Sequence, residues 1–267
     1  MKLAICHYSF HRRWAEEKWT LLRLCEEVKS LGVDSVDFHA RLIGNLGDPV
    51  QEIQSALSKT GVNISGLSLS TDFNIEDPGE YQEMIDNTIK WMQVAAEVNA
   101  PVSRIFGGTL KDRLKVDEDT KKKAFQRVTD ALGVLSKEAE NLGLVLALEN
   151  HGGLPCTAEE QMAIIESVGS KYLQATIDIG NYLQCGQEAT EGVQLASKYC
   201  AYVHIKDFKK EPTSTTPWGW TVSPCAVGEG DVDLLGCLSV LKEAGYKGYL
   251  ALEYEGQEDE KTGVPKS

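Results

Sequence analysis

Eight short runs of aliphatic and β-branched residues recur from one end of the chain to the other, and helical periodicity fills the intervals between them. The runs are "LAICHYSF" from Leu3, "SVDFHA" from Ser35, "NISGLSLS" from Asn63 and "VSRIFGG" from Val102. They continue as "LVLALEN" from Leu144, "LQATIDIGN" from Leu173, "AYVHIKDF" from Ala201 and "YLALEYEG" from Tyr249. Runs this short and apolar read as buried strands. The intervals behave differently. "WTLLRLCEEVKSLG" places Leu21, Leu22, Leu24, Cys25, Val28 and Leu31 on one helical face, with Gly32 as a stop. "YQEMIDNTIKWMQVAAEVNA" is closed by Pro101, and "DEDTKKKAFQRVTDALGVLSKEAENLG" carries the stripe Ala124, Val128, Ala131, Leu132 and Leu135. Shorter helices are expected near Pro49, Thr157, Glu191 and Asp233.

Strict alternation of strand and helix implies parallel strands joined by right-handed crossovers. Eight such units in 267 residues match a (β/α)8 TIM barrel, an α/β fold occupying residues 1–267 as one domain. A doubly wound open sheet is the competitor, but no G-x-G-x-x-G opens the first helix. The eighth unit is incomplete. After Gly256 only "QEDEKTGVPKS" remains, so the final helix should be short or missing. Further chain or a neighbouring subunit, in a homo-oligomer, would then cover the eighth strand.

The formal net charge of −13 argues against a nucleic-acid partner, which would need a basic footprint. No apolar run reaches the roughly 20 residues that span a bilayer, so no membrane partner is expected. "KLAICHYSF" is not a secretory signal, which points to the cytoplasm. The seven cysteines form no C-x-x-C pair and suit reduced, buried thiols better than a disulfide framework.

In such a barrel the chemistry sits at the C-terminal ends of the strands. The fifth strand stops at Glu149, the sixth at Asp178, the seventh reaches His204 and the eighth ends at Glu253. If these four point inward, period-2 alternation sends Ala147, Thr176, Tyr202 and Ala251 inward one layer below. Small or uncharged residues there suit a filled barrel. Three converging carboxylates repel unless a cation sits among them. One divalent metal held by Glu149, Asp178, His204 and Glu253 is therefore expected. Three oxygens and an imidazole suit Mn²⁺ or Mg²⁺, with Co²⁺ or Zn²⁺ able to substitute.

The motifs "ALENHGG", "IDIGN", "HIKD", "GEGDVD" and "LEYEG", in this order and at these strand ends, resemble the xylose-isomerase-like barrel superfamily of sugar and sugar-phosphate isomerases and epimerases. The resemblance covers essentially the whole chain. It implies a carbohydrate substrate and the same four residues as metal ligands, with Glu149 and Glu253 doubling as acid–base groups. A metal chelating adjacent carbonyl and hydroxyl oxygens acidifies the intervening C–H and stabilises an enediolate. A glutamate on each face then takes a proton and returns one. Return to the neighbouring carbon isomerises, and return to the opposite face epimerises. Loss of a β-hydroxyl dehydrates, which makes a keto-inositol or keto-sugar dehydratase the alternative.

The chain departs from ketose 3-epimerases of that group at Asn181 and Lys210, which stand where those enzymes have histidine and arginine. Endonuclease IV, the remote alternative, needs three metals and more than these five histidines. Candidate substrate contacts are His151 ahead of Gly152-Gly153, Lys206 with the inward parity of His204, Asn181, His7, Arg104 and Trp14. His7 and His39 end the first and second strands and, with Arg104 on the fourth, are expected to line the opposite wall. "KKEPTSTTPWGWTVSPCAVGEGDVD" reads as the longest loop, with Trp218 and Trp220 as a possible lid. "GEGDVD" reads as a turn with Asp231 or Asp233 as a helix cap.

Overall fold

The computed structural model describes residues 1–267. Its first half runs β1 (Lys2–Cys6), α1 (His11–Glu16), α2 (Leu21–Ser30), β2 (Ser35–His39), α3 (Ala40–Ile43), α4 (Pro49–Thr60), β3 (Asn63–Ser68), α5 (Pro78–Glu97) and β4 (Val102–Ile105). The middle follows with α6 (Glu118–Leu142), β5 (Val145–Glu149), α7 (Ala158–Val168), β6 (Leu173–Asp178), α8 (Ala189–Ala196) and β7 (Cys200–Ile205). The last part comprises β8 (Asp207–Pro212), β9 (Trp220–Cys225), α9 (Leu234–Glu243), β10 (Tyr249–Leu252) and α10 (Glu260–Lys266). Strands β1 to β7 and β10 pair in parallel and close into one barrel, with β10 between β7 and β1. All eight strands read from the sequence take part.

Local chemistry sets the helix ends. Side chains of Asp48, Asp77, Asp117, Thr157 and Asp233 each accept a backbone N–H of the first turn that follows them. Thr157 and Glu160 complete a reciprocal capping box at α7. Gly32, expected as a stop after α2, adopts φ +78°, a conformation costly for any residue with a Cβ. The stripe of α6 is fully buried at Ala124, Val128, Ala131, Leu132 and Leu135.

Two cores result. The larger lies between the strands and the surrounding helices. The smaller fills the barrel floor with Ala4, Val102, Ala147, Tyr202 and Ala251, and Tyr202 shares a 2.8 Å hydrogen bond with Ser65. The predicted lower layer is therefore inward, and its parity places the layer above it at the mouth.

Three expectations change. The segment after the seventh strand is an antiparallel hairpin, with Asp207 opposite Cys225 and Pro212 opposite Trp220. Its Trp220 indole donates to the Leu183 carbonyl at 3.1 Å, so it leans on the neighbouring rim loop and not over the site. The turn that ends it is anchored by buried Asp207, which accepts the amides of Gly228, Gly230 and Val232. A Cβ on Gly230 would meet an Asp207 oxygen at 2.1 Å. Asp233, not Asp231, caps the following helix. The second change concerns the cysteines: Cys156 and Cys185 form a disulfide with Cα atoms 6.0 Å apart, while the other five are free. They sit on successive rim loops, a proximity that a separation of 29 residues conceals. The third is α10, short as expected yet firmly docked. Its buried Glu260 accepts the Arg12 and Arg13 amides and the Arg12 guanidinium. Beside it, Leu3, Leu250 and Leu252 still line an apolar groove of about 210 Å³.

Candidate metal centre and substrate cleft

Register and shear bring the four strand-end residues together. Glu149 lies beside Thr176, Asp178 beside His204, and His204 beside Ala251, two residues before Glu253. The stagger of a closed barrel turns these offsets into one cluster. One ligand atom from each of Glu149, Asp178, His204 and Glu253 lies within 4.8 Å of the others, and all four residues are buried.

The supporting contacts leave one side of each group free. Asp178 Oδ1 accepts the amides of Gly180 and Asn181 at 2.9 and 3.0 Å. Its Oδ2 faces Lys206 Nζ at 3.2 Å and Glu149 Oε2 faces Arg104 Nε at 2.9 Å, ion pairs without good hydrogen-bond geometry, and His204 Nδ1 has no hydrogen-bond partner. Buried polar atoms without partners are costly. Three carboxylates and an imidazole with ligand atoms this close fit a shared divalent metal, and the cluster can hold one. On the far side of the ring, His204 Nε2 faces Asp37 Oδ2 at 3.3 Å. A carboxylate there fixes the proton on Nε2 and directs the Nδ1 lone pair at the cluster. Asp37 is in turn held by the Ser68 hydroxyl at 2.7 Å.

Two internal cations offset the carboxylates. Arg104 is inward on β4, 2.9 Å from Glu149 Oε2, and donates to Ser68 and the Leu69 carbonyl. Lys206 Nζ lies 2.7 Å from Glu253 and 3.2 Å from Asp178, with Glu255 at 3.4 Å. Burial alone would raise the Glu149 pKa, but Arg104 and then His204 hold it at about 2. Glu253 is pressed down in the same way by Lys206 and His204 against the pull of burial. For Asp178 burial prevails over Lys206 and lifts the carboxyl to about 7. Burial would lower His204, but Glu253 and Glu149 push it well above its ordinary value. Metal binding therefore has to displace protons from this cluster.

The second-tier candidates divide sharply. His151 lies over the mouth with its ring 4.2 Å from Phe106. With Glu149, Arg41, Thr71 and the Gly107-Gly108 and Gly152-Gly153 backbones it lines a cleft of about 390 Å³. Asn181, Lys206 and Arg104 are each buried and aimed at the carboxylates, with Asn181 Nδ2 3.3 Å from Glu149. His7 is buried, its ring 4.3 Å from Trp14, and neither residue lines the cleft. Lys210 pairs with Glu188 on the outer rim.

Sequence reading missed several supporting residues. Asn150 clamps β5 to β6, donating to the Asp178 carbonyl at 2.9 Å and accepting its amide at 3.0 Å. Gln161 donates to the carbonyls of Leu148 and Thr176 from beneath. Asn150 follows a strand-end glutamate directly, a signal that could have been read; Gln161 looks like any helical glutamine.

Residues 25–267 match the family model described as xylose isomerase-like TIM barrel. The chain is 26% identical over 210 residues to inosose isomerase of Halalkalibacterium halodurans, covering 76% of this chain and 71% of that one. It is 23% identical over 245 residues to L-ribulose-5-phosphate 3-epimerase UlaE of Salmonella paratyphi A, covering 90% and 81%. An uncharacterized protein of Methanocaldococcus jannaschii is 28% identical over 125 residues, and the match spans 45% of this chain and 40% of that protein. Among solved structures, the IOLI protein with a binding zinc atom superposes with a TM-score of 0.79 at 20% identity, covering 99% of this chain and 93% of that one.

Proposed function

Because the chain belongs to the xylose isomerase-like TIM barrel family, we propose that it is a divalent-metal-dependent isomerase or epimerase of a sugar or sugar phosphate. The observation that carries this reading is the buried quartet of Glu149, Asp178, His204 and Glu253, with one ligand atom from each within 4.8 Å of the others. These four would hold the metal, with Mn²⁺ or Mg²⁺ suited to the three carboxylates and Co²⁺ or Zn²⁺ as substitutes. When bound, it supplies charge stabilisation for the oxygen that becomes anionic as a substrate C–H is ionised.

The protein's own groups do the rest. Glu149 opens directly into the cleft and is held ionised by Arg104, as a base must be. Glu253 is held ionised by Lys206 and stands on a strand two places round the barrel from Asp178. One glutamate takes the proton from the substrate carbon and the other gives one back, so the pair sets the product's stereochemistry. His151 is positioned at the mouth to donate to a substrate hydroxyl.

The decisive experiment incubates metal-loaded protein in D₂O with ketoses, ketose phosphates and inososes, and follows carbon-bound deuterium by NMR. Deuterium at the exchanging carbon is expected, with an isomer or epimer accumulating. A dehydrated product would move the assignment to the lyase outcome of the same proton abstraction. No incorporation into any carbohydrate would reject the reading.

A further inference from the structure

The chain has 40 acidic and 27 basic residues, and an arginine without a carboxylate beside it stands out among its guanidinium groups. Six of its seven arginines are ion-paired: Arg12 with Glu260, Arg13 and Arg23 with Glu27, Arg104 with Glu149, Arg113 with Glu160, and Arg127 with Glu76. The seventh, Arg41, has no carboxylate within 4.0 Å and donates no hydrogen bond. It is exposed in the first turn of α3, directly after β2, and lines the 390 Å³ cleft into which Glu149 opens. Its charge reaches both the Tyr8 hydroxyl and the His39 ring at the mouth.

The same cleft wall holds a second set of unmatched donors. Ser70, Thr71 and Gly107 line it, and their backbone amides have no acceptor in the protein. Several neighbouring amides of the wall are by contrast satisfied within the protein. Leu69 N–H bonds to Arg104, Phe106 N–H to the Thr71 hydroxyl, and Gly108 N–H to Leu154. A guanidinium beside free amides is the chemistry that binds a tetrahedral or planar oxyanion. The other two cations near the quartet, Arg104 and Lys206, are buried and committed to carboxylates.

We propose that Arg41, with the amides of Ser70, Thr71 and Gly107, seats a terminal oxyanion of the substrate. The substrate class is then a carbohydrate ending in a phosphate monoester or a carboxylate, its reacting carbons at the Glu149 end of the cleft. This rests on the isomerase or epimerase reading for the rest of the substrate, though anion binding itself does not depend on turnover.

Calorimetric titration of the Mg²⁺-loaded protein with methyl phosphate and with acetate tests it and separates the two sources. Tighter binding of methyl phosphate assigns a phosphate terminus, and tighter binding of acetate a carboxylate. Either result should weaken at least tenfold in Arg41→Gln and less in Arg41→Lys, which keeps charge but loses the planar fork. Lys59→Gln removes one exposed charge from α4, outside the cleft, and should leave the affinity unchanged. An equal loss in both glutamine variants would reduce the effect to net charge and overturn the proposal. So would undetectable binding of both anions, or binding untouched by Arg41→Gln, which would place the anion on the metal. Deuterium exchange on the wild-type protein is read separately. Its failure rejects the isomerase reading even where methyl phosphate binds, and its success with neutral sugars alone rejects only the oxyanion seat.

Discussion

The two halves of the barrel mouth are built on opposite electrostatic plans. Strands β5, β6, β7 and β10 deliver Glu149, Asp178, His204 and Glu253, with one ligand atom from each within 4.8 Å of the others. Strands β1 to β4 deliver His7, Asp37, His39 and Arg104, which are equally buried but act on the first group or stay neutral. Burial lowers His7 well below its ordinary pKa, and burial followed by Arg104 lowers His39 to about 3. The first wall thus concentrates negative charge, and the second supplies one guanidinium, two neutral rings and the single carboxylate, Asp37, that faces His204. The buried carboxylate cluster is sustained from both sides, by Lys206 beside it and by Arg104 on the facing wall.

The largest expected effect comes from removing the charge of the first wall. Glu149→Gln and Glu253→Gln should each slow solvent-deuterium exchange into substrate about 10²–10⁴-fold, the usual worth of a positioned acid–base group. Circular dichroism should show the barrel intact. Exchange at the wild-type rate in either variant would remove that glutamate from the proposed pair.

Breaking the link between the walls comes next. Arg104→Met leaves Glu149 buried without its counter-ion, and should cost the metal-free protein about 3–5 kcal/mol. Denaturant unfolding with and without Mg²⁺ measures this, and added metal should restore part of the loss. A cost below about 1 kcal/mol would mean that Lys206 and His204 alone sustain the cluster.

The neutral rings give the second wall its own pH signature. A histidine whose folded pKa is depressed contributes no penalty above its unfolded value near 6.5. As pH falls from there towards about 3, the unfolded state gains the proton first and stability drops. His39→Gln should flatten the stability profile across that window, by roughly a few kcal/mol at its acid end. Unfolding curves of the two proteins that stay parallel from pH 6.5 to 4 would contradict a buried neutral His39.

The smallest effect tests the support that crosses the lumen. Asp37→Asn should weaken metal binding about 10–100-fold, because the amide no longer fixes the Nε2 proton of His204. Calorimetric affinity, read without turnover, checks it. An unchanged affinity would reduce the 3.3 Å contact to packing.

How far the sequence could be read depended on what each feature needed. The strand-end quartet was legible because alternation with period 2 assigns every residue of a strand to one face. Lys206, two residues after His204, is assigned the inward side by the same rule, and Arg104 is a candidate for the opposite wall only from its place at the end of the fourth strand. Their partners were not legible, and both turned out to face carboxylates instead of the cleft. The long segment after the seventh strand hid a hairpin, since "TSTTPWG" disguises two short strands as a loop.

By itself, the sequence determined the barrel, the direction of its strands and the inward layer at its mouth, because hydrophobic period and strand-end chemistry are local properties. Only the tertiary structure decided which inward groups meet across the lumen. Asp37 reaches His204 across 167 residues of chain, and Arg104 reaches Glu149 from the neighbouring strand. Those contacts follow from closure and shear, which set the angle at which opposite strands present their side chains and leave no mark in the period of any one strand.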